Sequence, residues 1–428
     1  MDADALTVVA ARAAIGAGTL SPVELLDRAL ERIRARNDEL HAYLHIDEDG
    51  ARAAAQVAER AARDGDERPL LGIPICVKDV IDVAGMPTTA GAAGWRREPA
   101  DDAPAVARLR AAGAVIVGKG NTNEFAYGID GRNPHWGDVR NPFDADRLSG
   151  GSTAGPAVAV ATGMALAGLG TDTTGSLRVP AALCGLVGLR PSLGALPTGG
   201  VVPLAWSYDA VGPIARTVED VAVLWGVLAG AGAEHSDARL PRVGVLDALL
   251  AGCSHAVGDG VRETAVALDA ELVELGELAH AEAIHTIVQM AEASAVHAGW
   301  FEEQRERYSA PVRERLELGR TIPSLDYLRA QQARRVLVDE FERTMEDEGL
   351  AALLAPTTLD VAPPLHGDQA GQRRTLLSAV LPLSQTTGPA ISVPAGMSER
   401  LPFGVQLAGR RGDDAALLQL AATLSAHQ

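Results

Sequence analysis

The spacing of apolar positions predicts helices and strands that alternate along the chain. Ser21-Pro22-Val23-Glu24 has the pattern of a capping box with proline in the first turn, and the apolar positions after it predict a helix through Arg36. The Ile- and Val-rich segment from Leu71 to Val83 predicts a strand, and Ala114 to Val117 predicts a second, buried strand. Alternating elements of these two kinds favour an α/β fold built in layers.

The same patterns predict further helices at 51–63, 106–112, 414–425 and over most of 258–348, and further strands at 243–246 and 391–393. The chain has no internal repeat and no low-complexity linker, so we expect one domain over residues 1–428. Within it we expect a helical N-terminal segment (about 1–65), a catalytic core (about 66–230), a mostly helical part (about 245–350) and a C-terminal strand and helix (about 351–428).

Charge disfavours two classes of partner. The 428 residues include 38 Lys and Arg against 56 Asp and Glu, so the net charge is −18. Such a surface repels phosphate backbones and anionic lipid, so we expect neither nucleic acid nor a membrane surface as a partner. The uncharged stretch from Leu148 to Thr171 has the length of a membrane span. Its glycines and small side chains instead favour a buried helix after a glycine-rich loop.

The cysteines and histidines indicate neither disulfides nor metal. Three cysteines without paired spacing and an N-terminal stretch without a basic region are typical of a cytoplasmic protein. The ten histidines show no metal-ligand spacing, so we expect no metal and no cofactor.

Lysine is rare in this chain, because only two of the 38 basic residues are lysine, Lys78 and Lys119. A general preference for arginine codons explains the bias but not the two exceptions. Arginine keeps its proton in proteins, whereas a buried lysine can lose it. The pattern therefore suggests that a compact or deprotonatable amine is needed at one or both positions.

Two loops rich in glycine and hydroxyl groups follow the first lysine. They span Ser149 to Gly155 and Gly170 to Arg178, on either side of a predicted long helix of small residues. Glycine-rich backbone can approach a ligand closely and can point successive N–H groups into one concavity. The two loops are either tight turns or the walls of a ligand site.

The ordered motifs of this region resemble those of the amidase signature family. The segments that carry the resemblance are 72–79 (GIPICVKD), 113–119 (GAVIVGK), 150–152 (GGS), 170–176 (GTDTTGS), 180–185 (PAALCG), 211–220 (VGPIARTVED) and 389–394 (PAISVP). The resemblance runs from about residue 20 to the C-terminus. It implies a single α/β/α domain with a large mixed central sheet covered by helices, and a triad of serine, cis-serine and lysine.

Carried over to this sequence, the resemblance implies that Ser176 is the nucleophile, Ser152 a proton relay after a cis Gly151–Ser152 peptide, and Lys78 the base. A free lysine has a pKa of about 10.4, and burial among apolar neighbours lowers it, so Lys78 could act as a neutral amine. The implied oxyanion donors are backbone N–H groups of Thr173, Thr174, Gly175 and Ser176. Thr171, Asp172 and Arg178 are expected to support the triad. Lys119 is expected to be structural.

The sequence departs from the family pattern at the oxyanion loop, where Thr174 stands in place of a common glycine. A β-branched residue would be strained there if the backbone needs a positive φ. For the substrate pocket we predict an apolar wall that includes Phe125, Tyr127, Trp136 and Trp206, together with the hydroxyl of Thr153.

We expect an enzyme that hydrolyses a linear carboxylic amide of a small molecule through an acyl group on Ser176. The first alternative is the glutaminase subunit of a tRNA-dependent amidotransferase. Relatives of that type are expected to place an acidic residue before the last strand to hold the glutamine amine, and residues 376–387 contain none. The second alternative is an idle binding protein of the same fold, which the intact triad disfavours. A homodimer is left open.

Overall fold

An eleven-stranded mixed sheet runs through residues 6–230 and 242–425, the part of the chain that the computed structural model describes. Residues 1–5, 231–241 and 426–428 of the expected single domain lie outside the described residues. The strands are β1 (Tyr43–Ile46), β2 (Pro74–Lys78), β3 (Val115–Gly120), β4 (Ala167–Asp172), β5 (Val187–Arg190), β6 (Ala210–Ala215), β7 (Arg242–Leu246), β8 (Glu271–Val273), β9 (Leu350–Pro356), β10 (Ala390–Ser398) and β11 (Leu401–Ala408).

Fourteen α-helices in these ranges flank the sheet. They are α1 (Val8–Gly16), α2 (Pro22–Leu40), α3 (Glu48–Arg63), α4 (Pro104–Ala111), α5 (Ala154–Ala161), α6 (Arg178–Leu183), α7 (Val218–Ala229), α8 (His255–Ala267), α9 (Ala281–Gln304), α10 (Ala310–Arg320), α11 (Ser324–Asp347), α12 (Gln369–Leu377), α13 (Val380–Leu383) and α14 (Asp414–Ser425). The predicted α/β class, with a large mixed central sheet covered by helices, is confirmed.

The order of the strands gathers several chain segments at one edge of the sheet. The order is β1-β3-β2-β4-β6-β5-β10-β11-β9-β7-β8. Strands β3, β2 and β4 are parallel neighbours, so their carboxyl ends lie at the same edge. Strand β6 is antiparallel to β4 and pairs Ala210 with Asp172, which brings the residue before β6 to that edge too. Active sites of α/β sheets commonly lie at such an edge.

Local sequence explains why the first long helix begins where it does. Ser21 accepts hydrogen bonds from the backbone N–H groups of Val23 and Glu24, and Pro22 occupies the first turn, where a missing N–H costs nothing. The predicted helix is confirmed and extends further, to Leu40. Its buried apolar face packs beside α3.

The prediction of a long buried helix within residues 148–171 is wrong. The stretch folds as the short helix α5 and then as strand β4, which consists of small residues and is buried along its whole length. A strand covered on both faces does not alternate in polarity, so its pattern cannot be told from that of a buried helix. Among the described residues, no helix is long and apolar enough to cross a membrane.

Candidate active site

Lys78 is the last residue of β2, and its side chain is buried completely. Its Nζ atom lies 2.7 Å from Ser152 Oγ and 2.8 Å from Thr171 Oγ1, with the carbonyl oxygen of Thr171 at 3.5 Å. Burial lowers the pKa of Lys78 to about 7, although the carboxylates of Asp172 and Asp209 act in the opposite direction. Within the described residues, no carboxylate lies within ion-pair distance of this amine. A substantial fraction of Lys78 is therefore neutral near pH 7.

Lys119 provides the contrast, on the neighbouring strand β3. Its ammonium group is equally buried, but it pairs with Asp79 at 3.1 Å and donates to Thr88 Oγ1 at 2.9 Å and to the carbonyl of Pro87 at 3.1 Å. Burial lowers the pKa of Lys119, while Asp79 acts to raise it. The paired carboxylate suits the structural role expected for this lysine.

Ser152 begins the segment that leads into α5, and the peptide bond between Gly151 and Ser152 is cis. A Cβ atom on Gly151 would lie 2.4 Å from Asn123 Oδ1, so only glycine fits at this position. The next residue, Thr153, uses its hydroxyl to bond the carbonyl of Thr171 at 3.1 Å and its N–H to bond the carbonyl of Ser176 at 3.1 Å. These two bonds hold the Ser152 segment against both β4 and the loop that carries Ser176.

The loop from Thr173 to Ser176 is tethered at every residue. Thr173 Oγ1 donates to Asp209 at 2.6 Å, and Thr174 Oγ1 lies 3.1 Å from His285 Nε2. The N–H of Gly175 donates to Asp172 at 2.6 Å. Together with the bond from Thr153 to the Ser176 carbonyl, these contacts fix the loop from four different chain segments.

Asp172 connects this loop to the sheet. Its carboxylate accepts hydrogen bonds from the guanidinium of Arg178 at 3.0 and 3.1 Å and lies 3.7 Å from Arg190 Nε. Burial would raise the pKa of Asp172, but the two guanidinium groups and the Gly175 N–H hold it at about 2. Arg178 also bonds Gln406 and Ser384, so the network reaches the C-terminal strands. Two of the expected supporting residues, Asp172 and Arg178, therefore belong to one buried charged network, and the third, Thr171, contacts Lys78.

Asp209, immediately before β6, was not predicted as a site residue. Its carboxylate accepts from Thr173 and from the backbone N–H groups of Leu204 and Ala205, at 2.9 and 3.0 Å. Burial raises the pKa of Asp209 to about 6, and the hydrogen bonds and Lys78 act against that rise. Asp209 thus positions the loop and also tunes the charge of Lys78.

The predicted set of oxyanion donors needs one correction. The Gly175 N–H already donates to Asp172, so it is not available to a substrate. The N–H groups of Thr173, Thr174 and Ser176 have no protein acceptor among the described residues, and all three residues line a cavity. Thr174 does not have a positive φ, so the strain considered for it does not arise, and it is Gly175 that has φ +97°.

The cavity that holds Ser176 has a volume of about 320 Å³. Residues of α9, α10 and α12 form the wall opposite the loop, among them His285, Gln289, Arg315, Arg373 and Leu377. Burial lowers the pKa of His285 to about 3, and Arg373 and Arg334 add to the effect, so this histidine is neutral. A wider cavity of about 690 Å³ continues outward and shares part of this lining.

Of the five predicted substrate-binding residues, the structure places only Tyr127 on the wall of the Ser176 cavity. Phe125 is 2% exposed and packs edge-on against His297, with ring centroids 4.5 Å apart. Trp136 and Trp206 are 46% and 55% exposed and belong to neither cavity lining. Thr153 is buried in the tether described above. The structure therefore does not place these four residues on the wall of the Ser176 cavity. Nearness in sequence to the loops did not determine which way each side chain points.

The missed residues of the wall come from helices far along the chain. His285, Gln289, Arg315 and Arg373 lie more than 100 residues after Ser176, on helices without a glycine-rich motif. No local pattern distinguishes these side chains from the many other polar residues on the same helices. The position of α9, α10 and α12 over the loop is what brings them to the site.

This chain is similar to known proteins along nearly its whole length. A family model described as Amidase matches residues 24–418. The curated A-type subunit of glutamyl-tRNA(Gln) amidotransferase from Roseiflexus sp. (strain RS-1) is 38% identical over 463 residues, covering 97% of this chain and 95% of that protein. A solved structure described as an amidase is similar with a TM-score of 0.93 and 36% identity, covering 99% of this chain and 100% of that one. The peptide amidase from Stenotrophomonas maltophilia has a TM-score of 0.85 and 28% identity, covering 99% and 97%.

The depressed pKa of Lys78 predicts a pH-dependent cost in stability. As pH falls from about 10 to 7, the unfolded chain binds a proton at this lysine that the folded chain does not, which favours unfolding by about 1.4 kcal/mol for each pH unit. Lys78→Met removes this cost. We expect the variant to be more stable than wild type at pH 7, by an amount that shrinks between pH 7 and 9, as measured by denaturant unfolding.

Lys119→Met is the matched control. It leaves the buried Asp79 carboxylate without its cation, so we expect a loss of about 3–5 kcal/mol near pH 7. If Lys78→Met lost stability as Lys119→Met does, or its effect did not change with pH, Lys78 would be charged in the folded protein.

Proposed function

The chain belongs to the amidase signature family, and on this premise we propose that it hydrolyses a carboxylic amide of a small molecule through an acyl group on Ser176. The observation that carries the proposal is a fully buried lysine that contacts Ser152 and has no carboxylate of its own among the described residues. An amine in that environment is available as a base near neutral pH. Ser176 lies close by, because its carbonyl accepts a hydrogen bond from the residue after Ser152.

The proposed reaction moves one proton along the triad. Neutral Lys78 accepts the proton of Ser152 across their 2.7 Å contact while donating to Thr171 Oγ1, and Ser152 takes the proton of Ser176. Ser176 Oγ then attacks the amide carbon, and the proton returns along the same path to the leaving nitrogen. Water releases the acyl group by the reverse relay, so the products are a carboxylic acid and ammonia or an amine.

The developing oxyanion would be held by the N–H groups of Thr173, Thr174 and Ser176, which have no protein acceptor among the described residues. One such donor is worth about 3–4 kcal/mol of barrier when it is fixed in advance. The tethers to Asp209, His285 and Asp172 provide that fixation. Mutations of these anchors should therefore act on the rate rather than on substrate affinity.

A second candidate is the glutaminase subunit of an amidotransferase. The curated relatives named as A-type subunits of glutamyl-tRNA(Gln) amidotransferase match 97% of this chain at 38% identity, and their names support this candidate more strongly than the small-molecule amidase. The lining of the Ser176 cavity argues against it, because that lining includes no carboxylate to receive the glutamine ammonium. In the segment 376–387, where relatives of that type are expected to place an acidic residue, this chain contributes the apolar Leu377 to the lining. Both candidates use the same acyl-enzyme chemistry, and they differ in the substrate.

Ser176→Ala tests the nucleophile. We expect loss of amide hydrolysis by at least a thousandfold with an unchanged melting temperature, because one hydroxyl contributes little to stability. A fluorophosphonate probe should label wild type at Ser176, located by peptide mass spectrometry, and should not label the variant. Amide hydrolysis by Ser176→Ala within tenfold of wild type would refute the assignment, and an unlabelled, inactive wild type would favour an idle binding protein.

The pH dependence tests the base. Protonated Lys78 cannot accept the Ser152 proton, so kcat/KM should rise about tenfold per pH unit below pH 7 and level off above it. Lys78→Met should be folded and nearly inactive at every pH. A profile without an inflection near 7 would remove Lys78 from the role of base.

Asp209→Asn gives an independent check on the same profile. The carboxylate of Asp209 raises the pKa of Lys78, so removing its charge should move the inflection to lower pH. Loss of positioning at Thr173 should lower kcat at the plateau, whereas a purely structural defect would lower activity without moving the inflection.

A further inference from the structure

Two arginines stand at the junction of the inner and outer cavities. Arg315 of α10 and Arg373 of α12 line both the cavity that holds Ser176 and the wider cavity outside it. A ligand that extends from the Ser176 cavity into the wider one therefore lies against both side chains. We call these two side chains the arginine pair.

Neither member of the arginine pair has an ion-pair partner within the described residues. Arg315 donates one hydrogen bond, to the carbonyl of Tyr127, and its guanidinium carbon lies 5.3 Å from the centroid of the Tyr127 ring. The guanidinium group of Arg373 makes no hydrogen bond and no ion pair with the residues that the structure describes. Many other arginines of this acidic chain pair with a carboxylate, whereas these two present their charges to the two cavities.

The two guanidinium groups also act on each other. The Arg373 side chain is exposed to solvent, but the protein around it desolvates the guanidinium and lowers its pKa; the positive charge of Arg315 lowers that pKa further, whereas Tyr127, Glu282 and Asp130 raise it. Two like charges held together without a counter-ion repel each other, and an anion between them would relieve the repulsion. The arrangement is therefore more favourable with an anionic ligand bound than without one.

The carboxylates near the arginine pair are already engaged or too distant. In the outer cavity, Asp130 pairs with Arg132 at 2.7 Å and Glu124 contacts His135 at 2.9 Å, and Asp138 accepts a hydrogen bond from the backbone N–H of Asn133 at 3.0 Å. Glu282 influences Arg373 but is not within ion-pair distance of it. The lining of the inner cavity holds no Asp or Glu, and its histidine, His285, is neutral. The inner cavity therefore offers positive charge to a substrate and no negative charge.

Resting on the proposed function, we infer that the substrate is a linear amide that carries a carboxylate at the end away from the scissile bond and carries no ammonium group. The carboxylate lies between Arg315 and Arg373, and the amide carbonyl lies at Ser176. A guanidinium fork matches the planar geometry of a carboxylate, which can accept two parallel hydrogen bonds. The monoamides of small dicarboxylic acids are the simplest compounds of this class.

Three probes of equal chain length separate the possibilities. Glutaramate has a carboxylate and an amide, glutamine adds an ammonium group to the same skeleton, and pentanamide replaces the carboxylate with a methyl group. We expect kcat/KM for glutaramate to exceed that for each of the other two by at least tenfold. The unpaired guanidinium groups penalise pentanamide, and the absence of a carboxylate acceptor penalises glutamine.

Arg373→Gln tests the pair with little structural risk, because this side chain makes no bond within the described residues. We expect the ratio of kcat/KM for glutaramate to that for pentanamide to fall at least tenfold. Arg374→Gln is the matched control. It is the next residue on α12, is also exposed, and lines neither the Ser176 cavity nor the outer one, so the ratio should stay within twofold of wild type.

Binding to Ser176→Ala, measured by calorimetry, separates this inference from the proposed function. If no amide is hydrolysed, the proposed function fails, and tighter binding of glutaramate than of pentanamide, lost in the Arg373→Gln double variant, would still support the carboxylate site. Hydrolysis of glutaramate and pentanamide at similar kcat/KM would overturn the inference and leave the proposed function intact. A preference for glutamine over glutaramate would overturn it in favour of the glutaminase candidate.

Discussion

Burial of an amine without a carboxylate partner is the constraint on which the proposed chemistry depends. Lys78 and Lys119 are buried equally on neighbouring strands, and they differ in that Lys119 has Asp79 at 3.1 Å. A carboxylate at that distance would keep Lys78 charged and unable to accept a proton. The nearest acids, Asp172 and Asp209, influence Lys78 only through space, and Asp172 is itself neutralised by Arg178 and Arg190. The site thus keeps its negative charge away from the one amine that must be neutral.

The structure divides the site into a fixed part and a wall. The fixed part consists of the carboxyl ends of β2 and β4 and the two glycine-rich loops, held together by buried bonds to Asp172, Asp209 and Thr153. Helices α9, α10 and α12 supply the wall, from chain segments that follow the loops by more than 100 residues. The same chemistry could serve different amides if only the wall changed. Relatives of this chain are described both as amidases and as a subunit of an amidotransferase, which is consistent with this division.

The sequence predicted the fold class, and the family resemblance pointed to Lys78, Ser152 and Ser176, whose segments the structure brings together. It did not point to Asp209, which lies in none of the quoted motifs. It did not predict β4, whose small residues are buried on both faces and show no alternation. It also misplaced Phe125, which packs in the core, and Trp136, which is largely exposed, because nearness in sequence to the loops does not determine where an aromatic side chain points. The carboxylate-binding role proposed for Arg373 could not be predicted from sequence. It depends on a guanidinium group that lines the cavity and has no partner among the described residues, and the packing of α12 over the loop determines both.

Direct titration of the two lysines tests the central claim without relying on any substrate. Because the chain has only Lys78 and Lys119, protein labelled with ¹³C at the lysine ε-carbons should give two NMR signals, which Lys78→Met assigns. The account predicts that the Lys78 signal titrates near pH 7, and that the signal of Lys119, which is paired with Asp79, titrates at a higher pH than that of Lys78. A Lys78 signal that remained that of an ammonium group up to pH 9 would contradict it.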